Sequence, residues 1–312
     1  MDNDMRQIAV VGSLNMDLVA VAPRIPGVGE TLTGSSYLKT PGGKGANQAF
    51  AAALLGGSVS MIGKLGSDDF GTQLRDSLTR AGCNTECVSA TTTHTGVAVI
   101  IVSDAGKNCI VVVPGANGEF HVEDVAASSK KLIAADYLLL QLETPIASVV
   151  AAAAEAKSHG ATVILDPAPA PRTPLPAALL ANVDILTPNE VEAAQLTGRG
   201  SSPLTDAEAS AAAKDLLAQG IPCVVLKLGS RGCLLATPQI ETWVAAPSVA
   251  AIDSTAAGDC FNGALAVALA EGYNLVDACR FAVSAASLSV TRLGAQASIP
   301  TREQLAEFIK AQ

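Results

Sequence analysis

Apolar and polar positions follow two different spacings along most of this chain. Short apolar runs rich in β-branched residues predict buried strands at residues 8–11, 58–64, 137–142, 162–165, 185–186 and 223–227. Apolar residues at helical spacing predict helices at residues 45–55, 70–80, 146–158, 190–196, 206–218, 259–270 and 276–290. Strands that alternate with helices predict a parallel sheet covered on both faces. The expected fold class is therefore α/β, with a doubly wound, mainly parallel sheet.

Two stretches depart from this alternation. Residues 18–21 and 31–38 read as extended segments separated by Pro and Gly. Residues 95–103 and 109–113 are apolar runs joined by the turn sequence DAGKN, which predicts a β-hairpin. A further stretch, residues 166–176, is proline-rich but short, which predicts a loop at a strand end.

Composition predicts a globular protein with a large core. Of the 312 residues, 49% are apolar and only 16% are charged, so a sizeable core is assured. The net charge of −9 and the lack of a basic run argue against nucleic acid as a partner. No apolar run is long enough to span a membrane, so we expect no membrane partner.

The expected compartment is the cytoplasm. The seven Cys include no C-x-x-C pair, and most lie in apolar segments, as buried thiols in a reducing compartment do. Residues 1–4 are acidic and show no signal-peptide pattern.

Two small-residue turns, each followed by an apolar helix, carry the clearest chemical signal. They are DSTAAGD at residues 253–259 and PGGKGAN at residues 41–47. A helix start exposes unpaired N–H groups and the positive end of the helix dipole, so it suits an anion. An acid among such amides, Asp259, predicts phosphoryl transfer in which the acid accepts the proton of the attacking hydroxyl. Taken alone, Asp259 also fits ordinary compensation of a helix dipole.

Together and in this order, the two turns resemble the two signatures of the ribokinase-like (PfkB) carbohydrate kinase family. Comparable segments of the family match NMD at 15–17, QLE at 141–143, TPNEVE at 187–192, LGSRG at 228–232 and VTRLGAQ at 290–296. The resemblance implies that the β-rich stretches form one small β-sheet lid. It divides the chain into an α/β core, residues 1–14, 41–93 and 115–312, and a lid, residues 15–40 and 94–114.

The resemblance implies an ATP-dependent sugar kinase with Asp259 as the general base. The anion hole would consist of the amides of Ala257, Gly258 and Asp259. The implied sugar-binding residues are Asn15, Asp17, Gly43, Lys44, Gly45, Asn47, Glu143 and Asp259. This set is chemically coherent, because a carboxylate accepts from two vicinal hydroxyls and Asn both donates and accepts. From the residues alone, Asn15 and Asp17 also fit an Asx turn that leaves a strand.

Nucleotide and metal sites are implied beyond other strand ends. The implied nucleotide-binding residues are Asn189, Lys227, Gly229, Ser230, Gly232 and Gly258. Lys227 stands where the family often carries Thr, and Val283 stands where a polar contact to the nucleotide is expected. Asn189 and Glu192 resemble an N-x-x-E element that implies Mg²⁺ bound through water, although the same spacing fits a helix cap.

A monovalent cation, K⁺ as an activator, is also implied by the resemblance. Its site would be built largely from backbone carbonyls of two loops, around Asp253, Thr255, Ser289, Arg292, Gly294 and Ser298. Two turns that merely pack beside the anion hole remain the alternative.

The leading substrate is D-ribose, phosphorylated on its 5-hydroxyl to ribose 5-phosphate. Asp17 and Glu143 would repel a sugar that already carries phosphate, and a 3% aromatic content disfavours a nucleoside that needs stacking. A 2-deoxyribokinase or another small-sugar kinase remains open, as does a catalytically silent, sugar-sensing homologue, although the intact Asp259 argues against the latter.

The apolar runs of the lid predict a homodimer. Residues 97–102 and 110–113 are apolar at nearly every position, whereas a sheet with one face in water should alternate. The core can cover only one face, so we expect a second lid to cover the other. Packing of the outer face on the protein's own core is the alternative.

Overall fold

Thirteen strands occur in the part of the chain that the computed structural model describes, residues 6–170 and 173–312. They are β1 (Gln7–Val11), β2 (Asn15–Ala22), β3 (Ser36–Gly42), β4 (Ser58–Gly66), β5 (Asn84–Thr91), β6 (Gly96–Ser103), β7 (Asn108–Val113), β8 (Tyr137–Leu140), β9 (Thr162–Leu165), β10 (Ile185–Leu186), β11 (Cys223–Lys227), β12 (Cys233–Ala236) and β13 (Glu241–Val244). The acidic residues 1–4, and residues 171–172 of the predicted loop, lie outside the described residues.

Eleven α-helices occur within the same described residues, and the last three follow the final strand. The eleven helices are α1 (Lys44–Leu54), α2 (Asp69–Arg80), α3 (Val122–Ala127), α4 (Ser129–Ile133), α5 (Ile146–Ser158), α6 (Ala177–Leu180), α7 (Glu190–Leu196), α8 (Asp206–Ala218), α9 (Ala257–Ala270), α10 (Leu275–Ser289) and α11 (Arg302–Lys310). Several begin at a polar side chain that accepts from a first-turn N–H, such as Asp68 before α2 and Thr205 before α8.

Nine strands form the larger sheet, in the order β13-β12-β11-β10-β9-β8-β1-β4-β5. The seven strands from β11 to β5 are parallel, and β12 and β13 run antiparallel at one edge. The predicted α/β class with a mainly parallel sheet is confirmed. Since the polar residues after β1, β8 and β9 all follow carboxyl ends of parallel strands, they meet at one edge, where ligands of such sheets bind.

The two faces of this sheet carry separate apolar cores. Ile8 and Val10 of β1 pack with α1, α9 and α10, whereas Ala9 and Val11 pack with α5 and α8. Neighbouring strand residues point to opposite faces, so a strand covered on both sides reads as an unbroken apolar run.

Three strands of the large sheet were not predicted, nor were the short helices α3, α4 and α6, and several boundaries differ. β2, for example, begins at Asn15 and not at residue 18, and β8 ends at Leu140 and not at residue 142. β5 was not predicted because it is a half-exposed edge strand with polar residues such as Asn84 and Glu86. β12 and β13 were not predicted because they follow β11 with no α-helix between them, which departs from the alternation of strands and helices. Residues 31–38 were predicted to be extended, but β3 begins only at Ser36. Pairing with β2 starts there, with Ser36 opposite Val21.

The smaller sheet has four strands in the order β3-β2-β6-β7. β6 and β7 form the predicted hairpin, and β2 pairs with β6 in parallel. All six residues of β7 are exposed. The small sheet therefore leaves an apolar strand in solvent in a single chain.

Nowhere in residues 6–170 and 173–312 is a helix both long and apolar enough to cross a lipid bilayer.

Candidate active site

The turn between β3 and α1 lies against the start of β2. Gly43 has a φ of 90°, which Gly adopts without strain. A Cβ at Gly43 would lie 2.6 Å from the backbone nitrogen of Asn15, and a Cβ at Gly42 would lie 2.2 Å from Oδ2 of Asp17. The two glycines therefore let the start of α1 approach the polar residues of β2.

The second small-residue turn opens α9. Ala256 has a φ of 58°, in the left-handed region that non-glycine residues rarely adopt. The N–H of Ala257, predicted to belong to the anion hole, donates to the carbonyl of Ser254 in this structure. The N–H groups of Gly258 and Asp259 have no backbone acceptor in the described chain. Of the three amides predicted to form an anion hole, only these two are therefore open to an anion.

Two side-chain amides of α1 hold the carboxylate of Asp259. Asn47 Nδ2 donates to Oδ2 at 3.0 Å, and Gln48 Nε2 donates to Oδ1 at 3.1 Å. Gln48 Oε1 in turn accepts from Gln141 Nε2 at 2.8 Å. The orientation of Asp259 is therefore fixed by buried hydrogen bonds within the protein.

Opposite charges are concentrated around Asp259. Burial raises the pKa of Asp259 to about 6, although the Lys44 ammonium group opposes this shift. Burial alone would lower the pKa of Lys44, but the carboxylates of Asp259 and Glu143 more than offset it, so the pKa of Lys44 is raised. Asp259 is therefore ionised at neutral pH, with a pKa close to that of an effective proton acceptor.

Asp17 is a buried carboxylate that has no hydrogen-bond partner among the described residues. Burial, reinforced by the charges of Glu143 and Asp259, raises the pKa of Asp17 to about 7. Oδ1 of Asn47 is also buried without a partner in the described chain. Buried polar groups are nearly always hydrogen-bonded, so these acceptors suit a ligand that supplies hydroxyl donors.

Asn15 and Glu143 are held by neighbours on the same edge of the sheet. Asn117 Nδ2 donates to Asn15 Oδ1 at 2.8 Å. Glu143 Oε2 accepts from the Ser13 hydroxyl and, at 3.2 Å, from the backbone N–H of Lys44. The structure thus brings together all of the predicted sugar-binding residues, Asn15, Asp17, Gly43, Lys44, Gly45, Asn47, Glu143 and Asp259.

A cavity of about 410 Å³ opens beside the first turn of α9. Its walls are mainly apolar and include Phe261 and Val283. Val283 cannot make the polar contact to the nucleotide that was expected at this position. The volume falls within the range of small-molecule sites. The predicted nucleotide-binding residues that line it are Lys227, Gly229, Ser230, Gly232 and Gly258.

A second cavity, also of about 410 Å³, leads from the first to the predicted base. It shares Lys227 and Gly258 with the first cavity, and it is also lined by Lys44 and Asp259. We refer to the first as the nucleoside cavity and to the second as the phosphate cavity.

Asn189 and Glu192 line the phosphate cavity and form a capping box at the start of α7. Each side chain accepts from the other residue's backbone N–H at 2.8 Å. The alternative that these two residues cap a helix is therefore correct. Burial raises the pKa of Glu192, against the nearby charge of Lys227. Within the described residues, no cluster of three acidic, His or Cys side chains could bind a metal unaided. The pair therefore fits Mg²⁺ only with water and phosphate as the other ligands.

The two loops predicted to bind K⁺ meet beside the start of α9. The Asp253 carboxylate accepts from the N–H and hydroxyl of Thr255 and from the N–H of Gly294. Burial alone would raise the pKa of Asp253, but these hydrogen bonds outweigh burial and lower the pKa. The side chains of Ser289 and Ser298 donate to backbone carbonyls three residues earlier in the chain, and that of Arg292 donates to Gln304. A cation at these loops would accordingly need backbone carbonyls.

Sequence reasoning missed several residues of the site. Asp166 forms an ion pair with Lys227, and it also accepts from Gln48 Nε2 at 3.0 Å. Asp166 directly follows β9, and its position after a buried strand was the signal that could have identified it. Gln48 and Asn117 carried no comparable signal, because their roles depend on contacts distant in sequence.

Comparison with known proteins places the chain in a family. A model described as pfkB family carbohydrate kinase matches residues 5–302. The ribokinase of Haemophilus influenzae is 40% identical over 306 residues, which cover 98% of this chain and 99% of that protein. The deoxyribokinase of Salmonella typhimurium is 36% identical, with 97% of this chain and 98% of that protein covered. The structure of Arabidopsis thaliana ribokinase complexed with ribose and ATP is 34% identical, with a TM-score of 0.89 and coverage of 98% and 99%. The chain therefore belongs to the pfkB family of carbohydrate kinases.

Proposed function

We propose that this protein is a ribokinase, which transfers the γ-phosphoryl group of ATP to the 5-hydroxyl of D-ribose. The observation that carries the proposal is the position of Asp259, a fixed carboxylate between the unpaired acceptors of Asp17 and Asn47 and the open amides of α9. A sugar hydroxyl and a phosphoryl group could meet there. The relatives named ribokinase support this substrate.

Asp259 acts as the general base. Its carboxylate is ionised at neutral pH and held by Asn47 and Gln48, so it can accept the proton of the attacking 5-hydroxyl. A loose transition state keeps that proton on the alcohol until late, so a modest basicity is sufficient. The amides of Gly258 and Asp259 stabilise negative charge on the transferred group.

Asn189 and Glu192 would hold Mg²⁺ and its waters against the nucleotide. When bound, the ion neutralises charge on the β- and γ-phosphates. The chain itself supplies the capped start of α7, which keeps both side chains at the phosphate cavity.

The sugar is held by Asn15, Asp17, Asn47 and Glu143. The buried acid Asp17 and the half-buried acid Glu143 disfavour a sugar that already carries phosphate. The Salmonella typhimurium relative named deoxyribokinase makes 2-deoxyribose the second candidate. A silent sugar sensor is less well supported, because Asp259 and its hydrogen-bond network are intact.

Activation by K⁺ is a further part of the proposal. A cation bound by the carbonyls of the loops around Asp253 and Gly294 would order the turn that opens α9. The Asp253 carboxylate already joins these two loops.

Association of two copies through the small sheet is also proposed. β7 exposes Ile110 and Val111 by 51% and 59%. Contiguous exposed apolar residues on a monomer mark interaction sites, and a second small sheet would cover them. Such a soluble dimer would be expected in the cytoplasm.

A coupled assay of ADP release with a panel of pentoses tests the proposed function. We expect Mg²⁺-dependent release with the highest kcat/KM for ribose. A higher kcat/KM for 2-deoxyribose would favour the second candidate. Pentose binding measured by calorimetry without any ADP release would indicate a silent sensor and reject the kinase.

A further inference from the structure

Lys227 and Asp166 form the most buried ion pair in the described residues. Lys227 Nζ lies 2.9 Å from Asp166 Oδ1, and the two side chains are only 12% and 4% exposed. Removing two charges from water is costly, and a buried pair often stabilises a protein no more than apolar residues would. The pair therefore calls for an explanation other than stability.

The position of the ammonium group supplies that explanation. Lys227 lines both the nucleoside cavity and the phosphate cavity. A Cβ at Gly258 would lie 3.4 Å from Lys227 Nζ, so the ammonium group lies beside the open amides of α9. A phosphate chain that extends from the nucleoside cavity to Asp259 must pass within reach of this group.

The acidic residues that line the phosphate cavity favour a second side-chain cation beside bound phosphate. A polyphosphate that enters an acidic cavity needs local positive charge. Lys44 provides one cation to this cavity, but its charge interacts more strongly with Asp259 and Glu143 than with Asp166 and Glu192. Lys227 is the cation on the nucleoside side. The acidic residues that line the phosphate cavity are Asp166, Glu190, Glu192 and Asp259.

We propose that Lys227 is a further phosphate-binding residue, whose ammonium group contacts the β- and γ-phosphate oxygens of the bound nucleotide. Asp166 is its positioning residue, because its carboxylate holds Lys227 at the junction of the cavities. Gln48 Nε2 donates to both Asp166 and Asp259, so one amide fixes the cation and the base relative to each other. The inference rests on the proposed use of ATP, and the family often carries Thr at this position.

Nucleotide binding tests the inference without reference to the sugar. In Lys227→Met, which keeps the length of the side chain and removes its charge, Mg²⁺·ADP should bind at least about tenfold more weakly by calorimetry. Adenosine, which lacks phosphate, should bind equally to both proteins. The matched control is Lys64→Met, which breaks the partly buried pair of Lys64 with Asp124 and should leave ADP affinity unchanged.

A double variant separates phosphate binding from neutralisation of Asp166. If Lys227 binds phosphate, Lys227→Met/Asp166→Asn should bind ADP as weakly as the single variant. Recovery of wild-type ADP affinity in the double variant, or equal losses for ADP and adenosine in the single variant, would overturn the inference. If Lys227→Met does not fold, Lys227→Arg should retain ADP affinity and Lys227→Gln should lose it; equal affinities would reject phosphate binding. A wild-type protein that binds ADP but phosphorylates no pentose would reject the proposed function and leave the inference intact.

Discussion

Asn47 Nδ2 donates a 3.0 Å hydrogen bond to Oδ2 of Asp259 across a separation of 212 residues. This bond joins the two small-residue turns that stand out in the sequence. It also connects Asn47, whose Oδ1 is unpaired, to the proposed base, so the proposed sugar pocket and the proposed anion hole share one hydrogen bond.

Replacement of Asp259 should abolish most activity without unfolding the protein. We expect Asp259→Asn and Asp259→Ala to lower kcat by roughly 10²–10⁴-fold, because each removes the proton acceptor. Measurement at pH 8 is appropriate, since wild-type Asp259, with a pKa of about 6, is then ionised. In Asp259→Asn, the NH2 group of the new side chain faces the donor of either Asn47 or Gln48, and two donors repel each other. The Ala variant controls for that repulsion. Near-wild-type turnover in either folded variant would remove Asp259 as the base.

Much of the fold follows from local patterns. Strands such as β8 and β9 are buried on both faces, so each appears as an unbroken apolar run, and their order among helices predicts a parallel sheet. β5 is half-exposed, and its stability comes from pairing with β4 and not from its own composition. Half-exposed edge strands of this kind leave little signal in a sequence.

The site was predictable where a backbone constraint leaves a residue signature. Gly43 is required by its positive φ and by contact with Asn15, and Asp259 stands at a helix start. The Gln48 contacts to Asp166 and Asp259 depend on three distant segments that meet only in the fold. Resemblance to a family also cannot reveal the ion pair between Asp166 and Lys227, because this lysine departs from the family pattern.

Asp17→Asn should weaken ribose more than 2-deoxyribose. A carboxylate that accepts from two hydroxyls matters less when one hydroxyl is missing. Losing a charged hydrogen bond costs roughly 1.5–3 kcal/mol, or about 10- to 150-fold in ribose affinity. Calorimetric titration with both sugars measures the difference. Equal losses would show that Asp17 does not recognise the 2-hydroxyl.

The same substitution should stabilise the sugar-free protein at alkaline pH. The pKa of Asp17 is about 7 in the folded protein and near the reference value of 3.8 when unfolded. Between these values the folded state binds a proton that the unfolded state lacks, so stability falls as pH rises and the full penalty applies above pH 7. A shift from 3.8 to about 7 corresponds to at most ~4 kcal/mol. Urea unfolding at pH 8 should show Asp17→Asn as the more stable protein, with a smaller difference at pH 5. A less stable variant at pH 8 would contradict the buried, unpaired state of this carboxylate.

Potassium should raise kcat relative to choline at equal ionic strength. The expected cause is ordering of the loops that Asp253 joins to Thr255 and Gly294, and so of the anion hole. The measurement is a K⁺ titration after removal of trace monovalent cations. A flat response would count against a cation site at these loops.

The last prediction concerns the exposed strand β7 at the edge of the small sheet. Ile110 pairs with Ile100 and Val111 with Val99, and successive strand residues point to opposite faces, so Lys at 110 and Lys at 111 probe the two faces separately. We expect light scattering to show a dimer for the unmodified protein at micromolar concentration. At least one of Ile110→Lys and Val111→Lys should dissociate it, because burying an unpaired ammonium group in an apolar interface is costly. The matched control is Ile309→Lys on α11, where Ile309 is a similarly exposed apolar residue at 40%, and it should leave the dimer intact. A monomeric unmodified protein, or a dimer that survives both β7 variants, would show that the small sheet is not the interface.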